Sequence, residues 1–366
     1  MADPPLCGRT LQGMSVEVRV MSGMIEQWFA VEARSLPWRH TRTPWRSLVS
    51  EFMLQQTQVA RVLERFEPFL ERFPSPDALA VADEQDVLAM WQGLGYYRRA
   101  RNLRRAAQAI VAEFGGEVPL DVDALLTLPG VGRYTAGSIA SIVGRRRVAI
   151  VDGNVTRLLA RMYCDDGLQE DRNYVNRMWS RSQSLVEESE FPDRLNEGMM
   201  ELGAMICTPA SPSCDVCPLN DRCQALAAGR VAEIPPAKRR ARRAVLHHHS
   251  VVIRRRGKLL LERRPESGLW AGLWQAPAIE GDGELSGGEI ADRLSFPVER
   301  LARLGSITRF LTHRTVHIHV HVAALASGVR MPDADGRKWV RDADLSGLPL
   351  SNAALAVLEV SAAAAR

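Results

Sequence analysis

Apolar positions recur at helical spacing through the first two-thirds of the chain and then switch to alternation. Between Ser47 and Phe69, the positions Leu48, Phe52, Gln55/Gln56, Val59 and Leu63 fall near a 3.6-residue period, which predicts one helix over 47–69. Asp123–Leu128 and Tyr134–Val143 read as two more, with Pro-Ser-Pro at 74–76 and Gly-Gly at 115–116 as punctuation. Past a boundary at 230–246 the period becomes two. His249–Ile253, Lys258–Glu262 and Val316–Ala323 then predict strands, with Gly257 turning the first into the second. The expected architecture is a mostly α domain over 24–229 and an α+β domain over 247–361, joined by the linker 230–246. Residues 1–23 are expected to be a disordered extension.

Composition narrows the partners. The 366 residues suffice for two cores, and 46% hydrophobic residues without a bilayer-length apolar run exclude a membrane span. A net charge of +4 permits nucleic acid without demanding it, and the run Lys238–Arg243 reads either as a solvated linker or as a phosphate contact. Residues 1–23 lack the basic start and apolar run of a secretory leader, so a reduced, cytoplasmic setting is expected; a monomer is expected as well. Only three of the 47 basic residues are lysine (Lys238, Lys258, Lys338), and residues 1–237 contain none.

Four of the six cysteines, Cys207, Cys214, Cys217 and Cys223, follow the spacing C-x6-C-x2-C-x5-C. Thiols gathered this tightly point to a metal or cluster rather than to disulfides. Zinc usually takes two C-x2-4-C knuckles, and only Cys214 and Cys217 form one. The spacing therefore favours a [4Fe–4S] cube over zinc, which stays open.

Other segments carry candidate chemistry. Leu128-Pro129-Gly130-Val131-Gly132 lies between two helical stretches and reads either as a phosphate-gripping turn or as a plain helix–turn–helix corner. Glu51 sits in an apolar, amide-bearing helix, and Asp152 stands about one hundred residues later beside Gly153 and Asn154. Taken alone, a helical Glu is usually on the surface and an Asp before Gly is usually a cap. Arg98, Arg99, Arg101, Arg104 and Arg105 crowd one helix, as a DNA-facing or a solvated side would. Tyr96, Tyr97 and Trp38 read equally as packing aromatics. His317, His319 and His321 share one strand face without a nearby carboxylate or cysteine, so packing or surface placement is expected rather than metal.

The stretches SEFMLQQTQV (50–59), GLGYYRRARNL (93–103), LPGVGRYTAGSIA (128–140), VDGNVTRLLAR (151–161) and NEGMMELGAMICTP (196–209) resemble, in order, the motifs of the A/G-specific adenine DNA glycosylases (the MutY family). That family belongs to the endonuclease III, helix–hairpin–helix superfamily, whose C-terminal cluster loop the four cysteines also resemble. The resemblance implies a base excision enzyme acting on double-stranded DNA with adenine opposite 8-oxoguanine or guanine. It implies Glu51 as the acid that protonates adenine N7 and Asp152 as the stabiliser of an oxocarbenium-like sugar, with Tyr134 and Asn154 supporting them. Arg39 and Glu197 would contact the adenine. Leu54, Gln56 and Tyr96 would wedge around the damaged guanine, and the Gly130–Gly132 hairpin would grip the backbone. Strand-cutting members use a lysine where this chain has Tyr134, so a monofunctional enzyme is implied.

Farther on, GLWAGLWQAP (268–277) resembles a motif of the family's Nudix-like C-terminal domain, without the clustered glutamates of Nudix hydrolases. A magnesium pyrophosphatase needs those carboxylates, so a recognition module is expected. Phe310-Leu311-Thr312-His313 aligns with the loop that senses 8-oxoguanine. Thr312 keeps a hydroxyl, while Leu311 replaces the usual phenylalanine. Between Cys207 and Cys223 the only basic residue is Arg222, which points to a scaffolding rather than a DNA-gripping loop.

Overall fold

A computed structural model describes residues 11–237, 243–334 and 336–364, with side chains from residue 16 onward. In chain order the helices before the linker are α1 (Leu11–Glu32), α2 (Pro37–His40), α3 (Pro44–Leu54), α4 (Val59–Leu63), α5 (Phe66–Arg72), α6 (Pro76–Ala80), α7 (Glu84–Met90), α8 (Arg98–Phe114), α9 (Val122–Thr127) and α10 (Arg133–Ser138). A π-helical turn (Ile139–Val143) continues α10. Then come α11 (Gly153–Met162), α12 (Arg172–Glu187), α13 (Pro192–Met205) and α14 (Gln224–Ala227). Beyond the linker the order is β1 (Ala244–Arg255), β2 (Lys258–Arg263), β3 (Trp274–Gln275), β4 (Ala278–Gly281), α15 (Gly287–Arg293), β5 (Val298–Phe310), β6 (Arg314–Leu325), β7 (Arg337–Arg341) and α16 (Asn352–Ala364). No helix among the described residues is long and apolar enough to cross a membrane.

Side chains explain many of these boundaries. Asp121 caps α9 through the amides of Asp123 and Ala124, and Asp171 caps α12 through Asn173. Proline opens α13 at its first turn. Ser286 and Glu289 form a capping box at α15, which accounts for the lone glutamate after Gly287-Gly288.

Two expectations are corrected. Residues 11–23 belong to α1, with Met21 and Ser22 buried, so the expected disorder fails there; residues 1–10 lie outside the described residues. The helix expected over 47–69 is instead α3, α4 and α5, interrupted where Gln56 turns to φ +56°. The basic run at 238–242 also lies outside the described residues. Just before it, Ile234 is buried and gives its carbonyl to Arg161.

The chain groups into two compact units. The first takes residues up to Phe52, Ser75–Asp77 and from Arg105 to the linker; the second takes 53–74, 78–104 and the remainder. Residues 53–74 and 78–104 therefore group with the C-terminal part of the chain, a grouping that the change of period at the linker does not foreshadow. Tyr97 donates to the Leu350 carbonyl at 3.0 Å, Trp274 to Gln85 at 2.8 Å, and Arg101 to the Ala271 carbonyl at 2.6 Å. The first unit's core gathers Ile25, Leu158, Leu159, Tyr174, Met178, Leu195, Met199 and Leu202.

In the second unit the sheet runs β3-β2-β1-β6-β5, with β4 pairing β1 and β7 pairing β2. Strands β1 and β6 are parallel, and one apolar cluster holds Val252, Val316, Ile318 and Val320 with Val357 of α16. A second cluster sets Val251, Ile253 and Ala323 against Ile290 of α15. The β1–β6 register places His247 opposite His317 and His249 opposite His319. His247 Nδ1 lies 3.0 Å from His319 Nε2, and His249 Nδ1 lies 3.4 Å from His321 Nε2. The His249 and His319 rings stack at 4.6 Å. Arg303 contacts His319 Nδ1 at 3.0 Å, pairs with Glu284, and the Leu285 amide donates to His249.

Burial pushes His319 and His321 each down to about 4, and the imidazole of His249 and the Arg303 cation add to the fall. Their folded values lie below the free imidazole value of about 6.5, so the folded protein binds fewer protons than the unfolded chain in this window. The stability these histidines contribute is fully present above about pH 6.5 and is lost as pH falls through about 4. Thermal melting of the full-length protein from pH 7 to 4 should show this decline, and a His319→Gln/His321→Gln variant should flatten it. An unchanged slope in that variant would assign the acid sensitivity elsewhere.

Candidate active site

Helix α3 carries Glu51 into the interior of the first unit, where Ser138 Oγ donates to its Oε1 at 2.7 Å and Tyr134 also hydrogen-bonds it. Burial lifts the Glu51 carboxyl to about 7; those two hydrogen bonds hold the rise back, and the charges of Asp152 and Glu197 add to it. Tyr134 is pushed well above the usual phenol range by burial and by the same carboxylates, so it stays a neutral donor. Its hydroxyl also reaches Met200 Sδ at 3.0 Å.

Asp152 is the N-cap of α11, accepting from the Val155 amide at 2.7 Å and from Asn154 Nδ2 at 3.2 Å. Burial raises its carboxyl, while the Val155 and Asn154 amides, the Arg157 charge and the Asn154 side chain favour the ionised form. The cap reading and the functional reading of this Asp therefore describe one geometry. Asn154 is fixed in turn, because Arg157 Nη2 donates to its Oδ1 at 2.8 Å. The same guanidinium reaches the Gly203 carbonyl at 2.6 Å and, through Nε, the Cys207 carbonyl at 2.7 Å. Helix α13 lies so close to the start of α11 that a Cβ on Gly203 would stand 2.6 Å from Asn154 Cβ and 2.8 Å from its carbonyl oxygen.

A network of arginines and carboxylates borders the same unit. Arg39 Nε donates to Glu197 at 3.1 Å, and Arg42 pairs with the other Glu197 oxygen at 2.8 Å. Arg39 also reaches Glu201, which Arg34 clasps through two nitrogens at 2.7 and 2.8 Å. Burial works to raise Glu201, but Arg34 and Arg39 outweigh it and hold the carboxyl down at about 2. In the hairpin only Gly130 uses positive φ (+83°); Gly132 is extended at the N-cap of α10, with open space where its Cβ would be.

The four clustered cysteines line one cavity with Leu158, Met162, Ile206, Leu219, Leu226 and Val231. Arg161 Nη1 lies 3.3 Å from Cys207 Sγ and donates to the Thr208 carbonyl at 2.8 Å. Among the described residues no three His, Cys, Asp or Glu side chains converge at single-ion spacing.

The remaining expected residues belong to the second unit. Gln56 and Tyr96 both adopt left-handed backbone conformations, at φ +56° and +47°. Tyr96 is 47% exposed, and its hydroxyl lies 2.7 Å from Thr312 Oγ1. Thr312 and His313 are exposed in a tight turn in which the Leu311 amide donates to the Arg314 carbonyl at 2.8 Å.

The profile of HhH-GPD superfamily base excision DNA repair proteins matches residues 49–183, and that of the NUDIX domain matches 249–360. The human adenine DNA glycosylase is 31% identical over 406 aligned positions, which cover 94% of this chain and 74% of that protein. The adenine DNA glycosylase of Buchnera aphidicola subsp. Schizaphis graminum is 34% identical, covering 72% and 76%. The chain belongs to the adenine DNA glycosylase family. Among solved structures, a thermostable thymine-DNA glycosylase matches with a TM-score of 0.54 at 27% identity, covering 59% of this chain and 99% of that one. An endonuclease III–DNA complex shares the fold at 24% identity and a TM-score of 0.50, covering 59% and 97%.

Within this member of the family several side chains refine the motif-based picture. Of the arginines after Tyr97, Arg98 and Arg105 are exposed, but Arg101 binds Glu84 at 2.8 Å and Arg104 the Ala82 carbonyl at 2.8 Å. Arg99 is buried. That helix is therefore only in part the open basic face its composition allows. In the 310–313 turn, Leu311 packs against the sheet core, while Phe310 is 70% exposed with Arg243 over its ring at 5.7 Å. The exposed aromatic surface thus lies one residue earlier than the loop pattern implies. Ser138, Arg157 and Glu201 escaped the sequence reading; each lies inside a quoted motif, and only the folded geometry shows what it touches.

Replacing Gly203 with Ala should push the start of α11 away from α13, costing about 1–3 kcal/mol of stability and displacing Asp152. Denaturant unfolding together with single-turnover excision would check this; wild-type values for both would show that the close approach does not position the site.

Proposed function

We propose that this protein hydrolyses the N-glycosidic bond of adenine mispaired with 8-oxoguanine or guanine in duplex DNA. Glu51 serves as the general acid at adenine N7, and Asp152 is the carboxylate that steadies the oxocarbenium-like sugar. The observation that carries the reading is the unequal pair. Glu51 is lifted to about 7 by burial, poised to give a proton, while Asp152, which burial also raises, takes backbone amide donors that favour its charge. Membership in the adenine DNA glycosylase family, shown by the human relative among others, supplies the base.

Adenine departs and water adds, leaving an abasic site with the strand intact. A Schiff base route needs an amine where Tyr134 stands, and a neutral phenol cannot supply one. Arg39 and Glu197, already paired, would meet the extruded adenine, and Thr312 and His313 would read the opposing 8-oxoguanine. The hairpin at Gly130–Gly132, whose open backbone a phosphate could approach, would grip the duplex.

The cysteine set fits a [4Fe–4S] cluster: four thiols share one apolar cavity, with the Arg161 guanidinium against one of them. Zinc held at about 2.3 Å would draw the sulfurs to about 3.8 Å from one another, whereas a cube spreads its four thiolates. When bound, the cluster would supply a structural clasp closing residues 207–223 on α11.

Three outcomes are expected. Duplexes with adenine opposite 8-oxoguanine or guanine should release adenine, duplexes with oxidised thymine should release nothing, and strands should break only after hot alkali. A borohydride-trapped adduct at the efficiency of a lysine enzyme would overturn the monofunctional reading. Glu51→Gln should lower the single-turnover rate by about 10²–10⁴ while duplex binding persists. The wild-type rate should fall as pH rises through about 7, because the acid must carry its proton. Finally, Cys214→Ala should lose iron–sulfur absorbance and thermal stability together, and a stable, colourless, fully active variant would refute the clasp.

A further inference from the structure

The break between α3 and α4 has a chemical cause, and it lies on α8. Arg99 is 7% exposed and spends its guanidinium on two turns at once. Nη1 donates to the Met53 carbonyl at 2.8 Å and to the Gln55 carbonyl, and Nη2 donates to Thr57 Oγ1 at 2.8 Å. Those carbonyls are the ones an uninterrupted helix would give to its next turn. Nη2 also takes the carbonyls of Leu94 and Gly95, each at 3.1 Å. Thr57 adds a strut of its own, donating to the Leu94 carbonyl at 3.2 Å. The rings of Trp91 and Tyr96 lie 5.5 and 5.4 Å from the guanidinium carbon. Burial lowers Arg99 to about 10, so it stays charged at neutral pH.

Each of the two turns carries one residue in the left-handed region, Gln56 at φ +56° and Tyr96 at φ +47°. L side chains hold that conformation only where the surroundings over-determine it, and here one cation spans both places. We propose that Arg99 is a positioning residue for base extrusion, setting Gln56 and Tyr96 at a fixed mutual spacing so that they enter the duplex as one wedge. The inference rests on the reading of Gln56 and Tyr96 as the wedge. Lysine cannot substitute, because a single ammonium with three donors cannot serve five oxygens spread over two turns.

The test uses full-length protein and a duplex carrying 2-aminopurine beside the adenine opposite 8-oxoguanine. Fluorescence then reports unstacking, and single-turnover excision is followed in parallel. Arg99→Lys should keep the wild-type melting temperature within a few degrees and duplex affinity within about threefold, while the unstacking and excision rates fall at least tenfold; three- to fivefold is expected for Thr57→Val. The excision deficit should shrink on a duplex in which the adenine faces a gap, where little unstacking is needed. In Arg99→Lys/Tyr96→Ala the two losses should not add. An equal deficit on stacked and gapped substrates, or additive losses, would make Arg99 merely structural and overturn the proposal. If Arg99→Lys fails to fold, Thr57→Val alone decides on the same comparison. Wild-type unstacking in both Gln56→Ala and Tyr96→Ala would instead sink the wedge reading, and the proposal with it. Impaired wedge variants beside a fully active Arg99→Lys would sink the proposal alone.

Discussion

Desolvation of one carboxyl is the constraint on which the proposed site rests. Glu51 is lifted to about 7 by burial in the fold, and two further carboxylates, Asp152 and Glu197, add to the rise. Three acids near one another would drive apart in an unconstrained chain. They stay because each is tied differently: Glu51 to Ser138 and Tyr134, Asp152 to the amides opening α11, and Glu197 to Arg39 and Arg42. The ties differ in kind: side-chain hydroxyls at Glu51, backbone amides at Asp152 and guanidinium groups at Glu197.

Arginine does much of the holding. With only three lysines in 366 residues, buried guanidinium groups take on the bridging of loops and helix ends. Arg157 joins Asn154 to the Gly203 and Cys207 carbonyls, Arg161 pins residues 207–209, and Arg99 ties two turns in the other unit. The planar fork suits this work, since oxygens arriving from several directions can share its several N–H groups. One consequence reaches the cysteines. The chain entering their loop at Cys207 is bonded to the same arginine that orients Asn154, so the loop's place and the site's geometry are set together.

Much of this was legible in the sequence, and the illegible part has a physical pattern. The family resemblance singled out Glu51, Asp152, Tyr134, Arg39 and Glu197, and all five fall in the first unit, whereas local chemistry alone read Glu51 as surface and Asp152 as a cap. Strand periodicity located β1, β2 and β6 with ends only a few residues short. Periodicity failed at 55–58 because Arg99, more than forty residues away in sequence, takes the carbonyls that would have continued the helix. It also missed that residues 53–74 and 78–104 group with the C-terminal part of the chain, since helices show the same amphipathic period whichever unit they belong to. Arginine roles were the least legible of all. A guanidinium reads as surface charge until the fold shows five oxygens around it.

The C-terminal unit carries the NUDIX-domain match and spends its carboxylates differently from a magnesium site. Its one glutamate after Gly287-Gly288 is spent capping α15, so the carboxylates a bound magnesium ion would need are not present in that segment. What it offers instead is a short turn bearing Thr312, whose hydroxyl lies against Tyr96 at 2.7 Å, beside an exposed Phe310. A hydroxyl engaged in this way is a donor and acceptor already oriented, and a base edge that displaced Tyr96 would meet it without paying to order a side chain. Leu311 cannot serve there as an aromatic surface, because it is committed to the core. The turn therefore divides its labour: Leu311 anchors against the core, while Phe310 and Thr312 on either side of it are exposed.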